Sequence, residues 1–241
     1  MSDFLLIHGS AHGAWCWRDL IPELTALGHN ARAIDLPGHG QDGTPYAQVT
    51  LDGYADAIAD ALDTPAIVVG HSMGGYPITL AAERAPDMVQ MLIYLCAYVP
   101  KPGLSLAQMR MEAPYQPLLP HIRMTPDRKG WTVPDDILHD RFYHDCPPGT
   151  VEFAAANLCI QATQPTSVPV TVTERSSHIP RRYIRCSEDR TIPPEYQVTM
   201  TRDWPADHVV TMDCSHSPFF AKPRDLAAIL HDFAKGQARP G

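Results

Sequence analysis

Residues 66–84, AIVVGHSMGGYPITLAAER, run an apolar segment straight into Gly70-His71-Ser72-Met73-Gly74-Gly75 and on into a helix-forming stretch. An apolar run without polar alternation suits a strand buried on both faces, which occurs where helices cover both sides of a parallel sheet. The spacing predicts a strand over Ala66 to Gly70, a tight turn, and a helix over Met73 to Arg84 that stops at Pro86. The same alternation recurs along the chain. Strands are expected at Phe4 to Ile7, Ala31 to Leu36, Val89 to Val99, Arg182 to Cys186 and His208 to Met212. Helices are expected at Trp15 to Leu27, closed by Gly28, and at Leu51 to Leu62, Glu195 to Arg202 and Arg224 to Phe233. The fold class that follows is α/β, with a mainly parallel central sheet flanked by helices.

Between Tyr98 and Ile184 the alternation fails. Of 24 prolines in 241 residues, 12 lie between positions 100 and 180, in a chain with about twice the average usage of roughly 5%. Interior proline costs a helix about 3 kcal/mol, so helices there are short, with His139 to Tyr143 and Thr150 to Ile160 as candidates. The expected organisation is a core of residues 1–99 and 180–241 with an inserted lid over 100–179, covering the C-terminal edge of the sheet.

A net charge of −8, from 19 Lys+Arg against 27 Asp+Glu, argues against nucleic acid and toward a small-molecule partner. The N-terminus lacks a basic segment before its short apolar run, and the most apolar stretch, Met88 to Val99, is too short to span a bilayer. A cytoplasmic protein without membrane association is the expectation. Six cysteines without a C-x-x-C pair suggest neither zinc nor redox chemistry, and no motif calls for a metal or a cofactor. Gly38-His39-Gly40-Gln41-Asp42-Gly43 matches G-x-G-x-x-G, but Pro37 precedes it and no helix opens at its third glycine, so a dinucleotide site is not expected.

G-x-S-x-G between strand and helix lifts a serine hydroxyl out of a strained turn. Such a hydroxyl needs a base, and the base needs an acid to orient it, each on a loop after a later strand. Of the 12 histidines, His216 alone sits at the C-terminal end of the last strand. The acid is sought among Glu188, Asp189 and Asp213; Asp189 is favoured as the stiffer residue further into its turn, and Asp213 is too near His216 in the chain. Ser72 is thus the candidate nucleophile, His216 the base and Asp189 its orienter. The backbone N–H groups of Ser10 and Met73 are the candidate oxyanion hole, while His12 is expected to be structural. Trp131 and Phe142, aromatic residues of the lid, and Ser217 are candidate substrate contacts.

The segments LIHGSAHGAW, LTALGHNARAIDLPGHG, VVGHSMGG, YIRCSEDRTIPPEYQ and DCSHSP resemble the α/β-hydrolase superfamily, and more narrowly the plant methylesterase and hydroxynitrile lyase group with its bacterial carboxylesterase relatives. The resemblance implies the α/β-hydrolase fold with an inserted cap, and the same Ser72, Asp189 and His216 triad with Ser10 and Met73. The plant lyases carry a lysine after the catalytic histidine, where this chain has Ser217, and a threonine where it has Gly9. The expected function is a cofactor-free carboxylic ester hydrolase acting through an acyl-enzyme on small apolar or aromatic esters. A carbon–carbon lyase on the same triad, or a non-catalytic ligand receptor, are the alternatives, and a homodimer is left open.

Overall fold

The computed structural model describes residues 1–236; residues 237–241, the tail of the expected core segment, lie outside the described residues. In chain order the elements are β1 (Asp3–Ile7), α1 (Leu20–Ala26), β2 (Asn30–Ile34), α2 (Leu51–Asp60), β3 (Ala66–His71), α3 (Gly75–Arg84), β4 (Val89–Leu95), α4 (Leu106–Arg110), β5 (Arg123–Met124), β6 (Gly130–Thr132), α5 (Thr150–Asn157), β7 (Gln161–Ala162), α6 (Gln164–Ser167), α7 (Glu174–Ser177), β8 (Arg181–Cys186), α8 (Pro194–Met200), β9 (Val209–Met212), α9 (Pro218–Ala221) and α10 (Pro223–Ala234).

Six strands form one parallel sheet in the order β2-β1-β3-β4-β8-β9. Alternate residues serve opposite faces: Leu5, Ile7, Val68 and Leu92 join one apolar cluster with α2 and α3, and Phe4, Leu6, Val69 and Ile93 join another with α1 and α10. A period of two that is apolar on both faces explains the unbroken hydrophobic runs. The loops after β1, β3, β8 and β9 all leave from the C-terminal edge, which is where such sheets collect reactive groups.

Two expected elements are corrected. A helix over Trp15 to Leu27 does not form: Ala14–Trp17 is a 3₁₀ turn and α1 begins only at Leu20. Pro22 lacks an N–H and its ring would clash with the carbonyl four residues back, so it is tolerated only in a first turn. The fourth strand ends at Leu95 rather than Val99, because Cys96 adopts φ +34° and the Tyr98 N–H turns to the Ser72 carbonyl at 3.1 Å.

The segment between β4 and β8 holds a small antiparallel sheet, β5-β6-β7, whose strands of two or three residues are too short for a period to show. It is tied into the core rather than set apart from it. Leu106 and Met109 pack in the first cluster, and Leu138, Phe142 and Tyr143 in the second. No helix among the described residues is long and apolar enough to cross a membrane.

Candidate active site

The turn after β3 places Ser72 at φ +55°, in the left-handed region that side chains avoid. It holds that shape because its flanks are glycines: a Cβ on Gly70 would lie 2.7 Å from the Gly74 carbonyl oxygen, and one on Gly74 would lie 2.9 Å from that of His8. Only without those atoms can β3, the turn and the β1 loop approach so closely.

Ser72 Oγ lies 3.0 Å from His216 Nε2, and His216 Nδ1 lies 2.7 Å from Asp189 Oδ2. A carboxylate cannot donate, so Nδ1–H gives its hydrogen bond to Asp189 and Nε2 is left to accept the Ser72 hydroxyl proton. All three residues are buried. Glu188 is exposed, and Asp213 accepts instead from the Ser187 hydroxyl at 2.9 Å. Among the three carboxylates weighed from the sequence, Asp189 is the one brought to His216.

Residues that sequence reasoning missed hold this line in place. Asp189 Oδ1 accepts from the Thr191 and Ile192 N–H groups at 2.7 and 2.8 Å, and Oδ2 accepts from Gln197 Nε2 at 2.9 Å. The fully buried Gln197 also accepts from the Cys186 N–H at 3.0 Å and donates to the Ile192 carbonyl. Gln197→Leu leaves those buried groups unpaired at about 1–3 kcal/mol each, so kcat is expected to fall by about 10- to 100-fold, with a lower Tm, as read by ester kinetics and calorimetry. His71 Nε2–H donates to the His216 carbonyl at 2.8 Å, and the Ser215 N–H, next to His216, donates to Asp145 of the insert at 2.8 Å. The one sequence signal for such residues is a polar side chain in an apolar setting, as for Gln197 between Tyr196 and Val198.

Ser10 and Met73 both line a cavity of about 840 Å³, counting its open mouth, that also exposes Ser72 and His216. The Ala11 N–H beside Ser10 is taken by Gln161 Oε1 at 2.9 Å, so the insert shapes the β1 loop. His12 lines the same cavity with both ring nitrogens engaged: Nδ1–H donates to the Ser10 carbonyl at 2.8 Å and Nε2 accepts from Tyr143 at 2.7 Å. Burial holds its pKa down to about 4, so it stays neutral. His39, in the glycine-rich loop dismissed as a dinucleotide site, donates to the His12 carbonyl and accepts from Tyr54, both at 2.7 Å, and so buttresses the same loop.

Trp131 and Phe142 line the cavity, and the Phe142 ring packs 5.9 Å from that of His216. Ser217 does not reach it. Its side chain is fully buried, with an unpartnered Oγ, and its N–H donates to Ser215 Oγ at 3.2 Å, because the chain turns into α9 at this point. His71, Cys96 and His216 bring ligand-type atoms within 4.8 Å of one another, but they do not fit a metal. Burial pushes the Cys96 thiol up to about 12, and both nitrogens of His216 are engaged within the Ser72–Asp189 line.

A serine hydroxyl facing an imidazole that is oriented by a buried carboxylate, on a strand-turn-helix elbow beside an apolar cavity, is an arrangement suited to acyl transfer. Residues 4–229 match the alpha/beta hydrolase family. The chain belongs to the alpha/beta hydrolase family. Within this family it is 29% identical to methylesterase 7 of Arabidopsis thaliana over 248 residues, covering 96% of this chain and 95% of that protein. It is 31% identical to the pyrethroid hydrolase of Sphingobium wenxiniae over 250 residues, covering 99% of this chain and 89% of the other. The crystal structure of a pyrethroid hydrolase from Sphingobium faniae JZ-2 superposes with a TM-score of 0.86 at 30% identity, over 97% of each chain. With such relatives along nearly its full length, this alpha/beta hydrolase is a hydrolytic enzyme.

Proposed function

We propose that the protein is a serine carboxylic ester hydrolase that works through an acyl-enzyme. The observation that carries this is the hydrogen-bonded line from Ser72 Oγ through His216 to Asp189, opening onto the cavity. His216 Nε2 takes the Ser72 proton as Oγ bonds to the ester carbonyl carbon, and the electron pair moves to the carbonyl oxygen, which the Ser10 and Met73 N–H groups hold. Met73 stands just ahead of α3, where the helix dipole favours negative charge. When the carbon–oxygen bond of the ester breaks, the imidazolium protonates the departing alcohol. Water then adds to the acyl-enzyme by the same route and releases the acid.

Segment 100–179 acts as the lid in this scheme, contributing Leu118, Trp131, Val133, Phe142 and Leu158 to the cavity wall. Those walls suit an apolar or aromatic group, and the methylesterase and pyrethroid hydrolase relatives support ester chemistry. The lyase alternative is disfavoured by space as well as by composition. A Cβ on Gly9 would lie 2.8 Å from His71 Nδ1 and 2.9 Å from Ser72 Cβ, so the threonine of the plant lyases has no room here, and Ser217 brings no cation.

A panel of methyl and aryl esters of increasing bulk, assayed beside a cyanohydrin, tests the proposal. Ester turnover with negligible cyanide release is expected; rapid cyanide release without ester turnover refutes it.

A further inference from the structure

The cavity wall carries one charge that the hydrolytic scheme leaves unused. Among the described residues, Arg110, at the end of α4, is the only lysine or arginine lining the cavity, and no aspartate or glutamate lines it. Its Nε is buried without a partner, and among the described residues its guanidinium meets no carboxylate. Four other described arginines are half-buried, and each has a protein partner. Arg84 pairs with Asp52 and Asp56, Arg141 with Asp140, Arg182 with the Arg181 carbonyl and Arg185 with Thr201. A half-buried guanidinium whose Nε is out of reach of water, with no counter-charge beside it, keeps donors to spare, so a fold that sets one in a cavity wall leaves a place for an anion.

The nearby carboxylate is already occupied. Glu112, two residues along, accepts from Lys101 Nζ and from Tyr196 Oη at 3.0 Å. Arg110 instead stands close to Tyr98: burial raises the Tyr98 phenol, and the Arg110 charge opposes that rise. Tyr98 lines the same cavity, and its N–H donates to the Ser72 carbonyl at 3.1 Å. The charge therefore shares a wall with the reacting serine, with the apolar side chains of Leu106, Leu118 and Trp131 lining the same space.

We infer that Arg110 binds a carboxylate carried by the substrate, and that the enzyme favours half-esters of dicarboxylic acids. The ester carbonyl meets Ser72 while the free carboxylate meets the Arg110 guanidinium, and the methylene chain lies along the apolar wall. This rests on the ester-hydrolase proposal above. A charge-assisted, two-point contact of guanidinium with carboxylate is both strong and directional, so chain length should matter.

The test compares monomethyl with dimethyl esters of dicarboxylic acids, from succinate to sebacate, by methanol release. The wild-type kcat/KM ratio of half-ester to diester is expected to exceed one and to peak at one chain length. In Arg110→Gln the peak ratio should fall by about 10- to 100-fold, with Arg110→Lys between the two; a general loss of activity cancels in the ratio. A wild-type ratio below one at every length, or a ratio unchanged in Arg110→Gln, overturns the inference. If no ester of either kind is turned over, it is the ester-hydrolase proposal that fails, and binding of the free dicarboxylates, read as a rise in Tm, then decides on Arg110. Stabilisation of the wild type that is lost in Arg110→Gln supports the anion site, and equal or absent stabilisation refutes it.

Discussion

Replacing Ser72 with alanine is expected to lower kcat for an aryl ester by about 10⁴- to 10⁶-fold while leaving the fold intact. In the proposed mechanism the hydroxyl is the group that bonds covalently to the substrate, and its removal leaves His216 with no proton to take. The residual rate, about 10³-fold over water, would come from the oxyanion donors and from binding alone. Alanine occupies the same φ +55° turn and removes only an oxygen that bonds to His216, so Tm should move little. An aryl phosphonate supplies an independent readout. In the wild type its mass should appear on the peptide that contains Ser72, and in the variant on no peptide. Full ester turnover by the alanine variant, or labelling elsewhere in the wild type, would refute the assignment.

The second large effect is on stability in acid. His8, His12, His39 and His71 are buried around the β1 and β3 loops, and burial is the largest cause lowering the pKa of each. For His12 and His39 the folded value is about 4 against 6.5 for the free side chain. Because these folded values are depressed, the unfolded chain binds protons first. The stability contribution is complete above about pH 6.5 and is lost as pH falls toward 4. At 1.36 kcal/mol per unit, each of these two residues costs about 2 kcal/mol of stability by pH 5 and about 3 kcal/mol by pH 4. His8 and His71 act in the same direction. Against a typical total of about 5–15 kcal/mol, that is enough to lower Tm by about 10 °C between pH 7 and pH 5. Calorimetry at stepped pH checks this, with His39→Gln expected to flatten the slope; a Tm that is constant from pH 7 to pH 5 rules the account out.

Those histidines also show where sequence reasoning stops. His12 could be set aside as structural from its place in a glycine-rich loop, but nothing in the chain announces that Tyr143, 131 residues on, occupies its second nitrogen. Gln197 and Asp145 escaped notice for the same reason. Their partners are remote in sequence or lie across a turn, and a single polar side chain leaves no periodic trace. Ser217 was misplaced because adjacency to His216 in the chain says nothing about which way the next side chain faces once α9 begins.

What the sequence determined by itself is the layered sheet and the order of the reactive groups along it. Both rest on local physics: unbroken apolar runs that must be buried on two faces, glycines that alone permit the turn at Ser72, and strand ends that deliver Asp189 and His216 to one edge. The tertiary structure alone decided how Asp189 is held by Thr191, Ile192 and Gln197, how the insert fastens both the β1 loop and the His216 loop, and that Arg110 lines the cavity with no carboxylate partner among the described residues. Those outcomes depend on hydrogen bonds and charge neighbours that form only when distant segments pack, and no pattern of nearby residues encodes them.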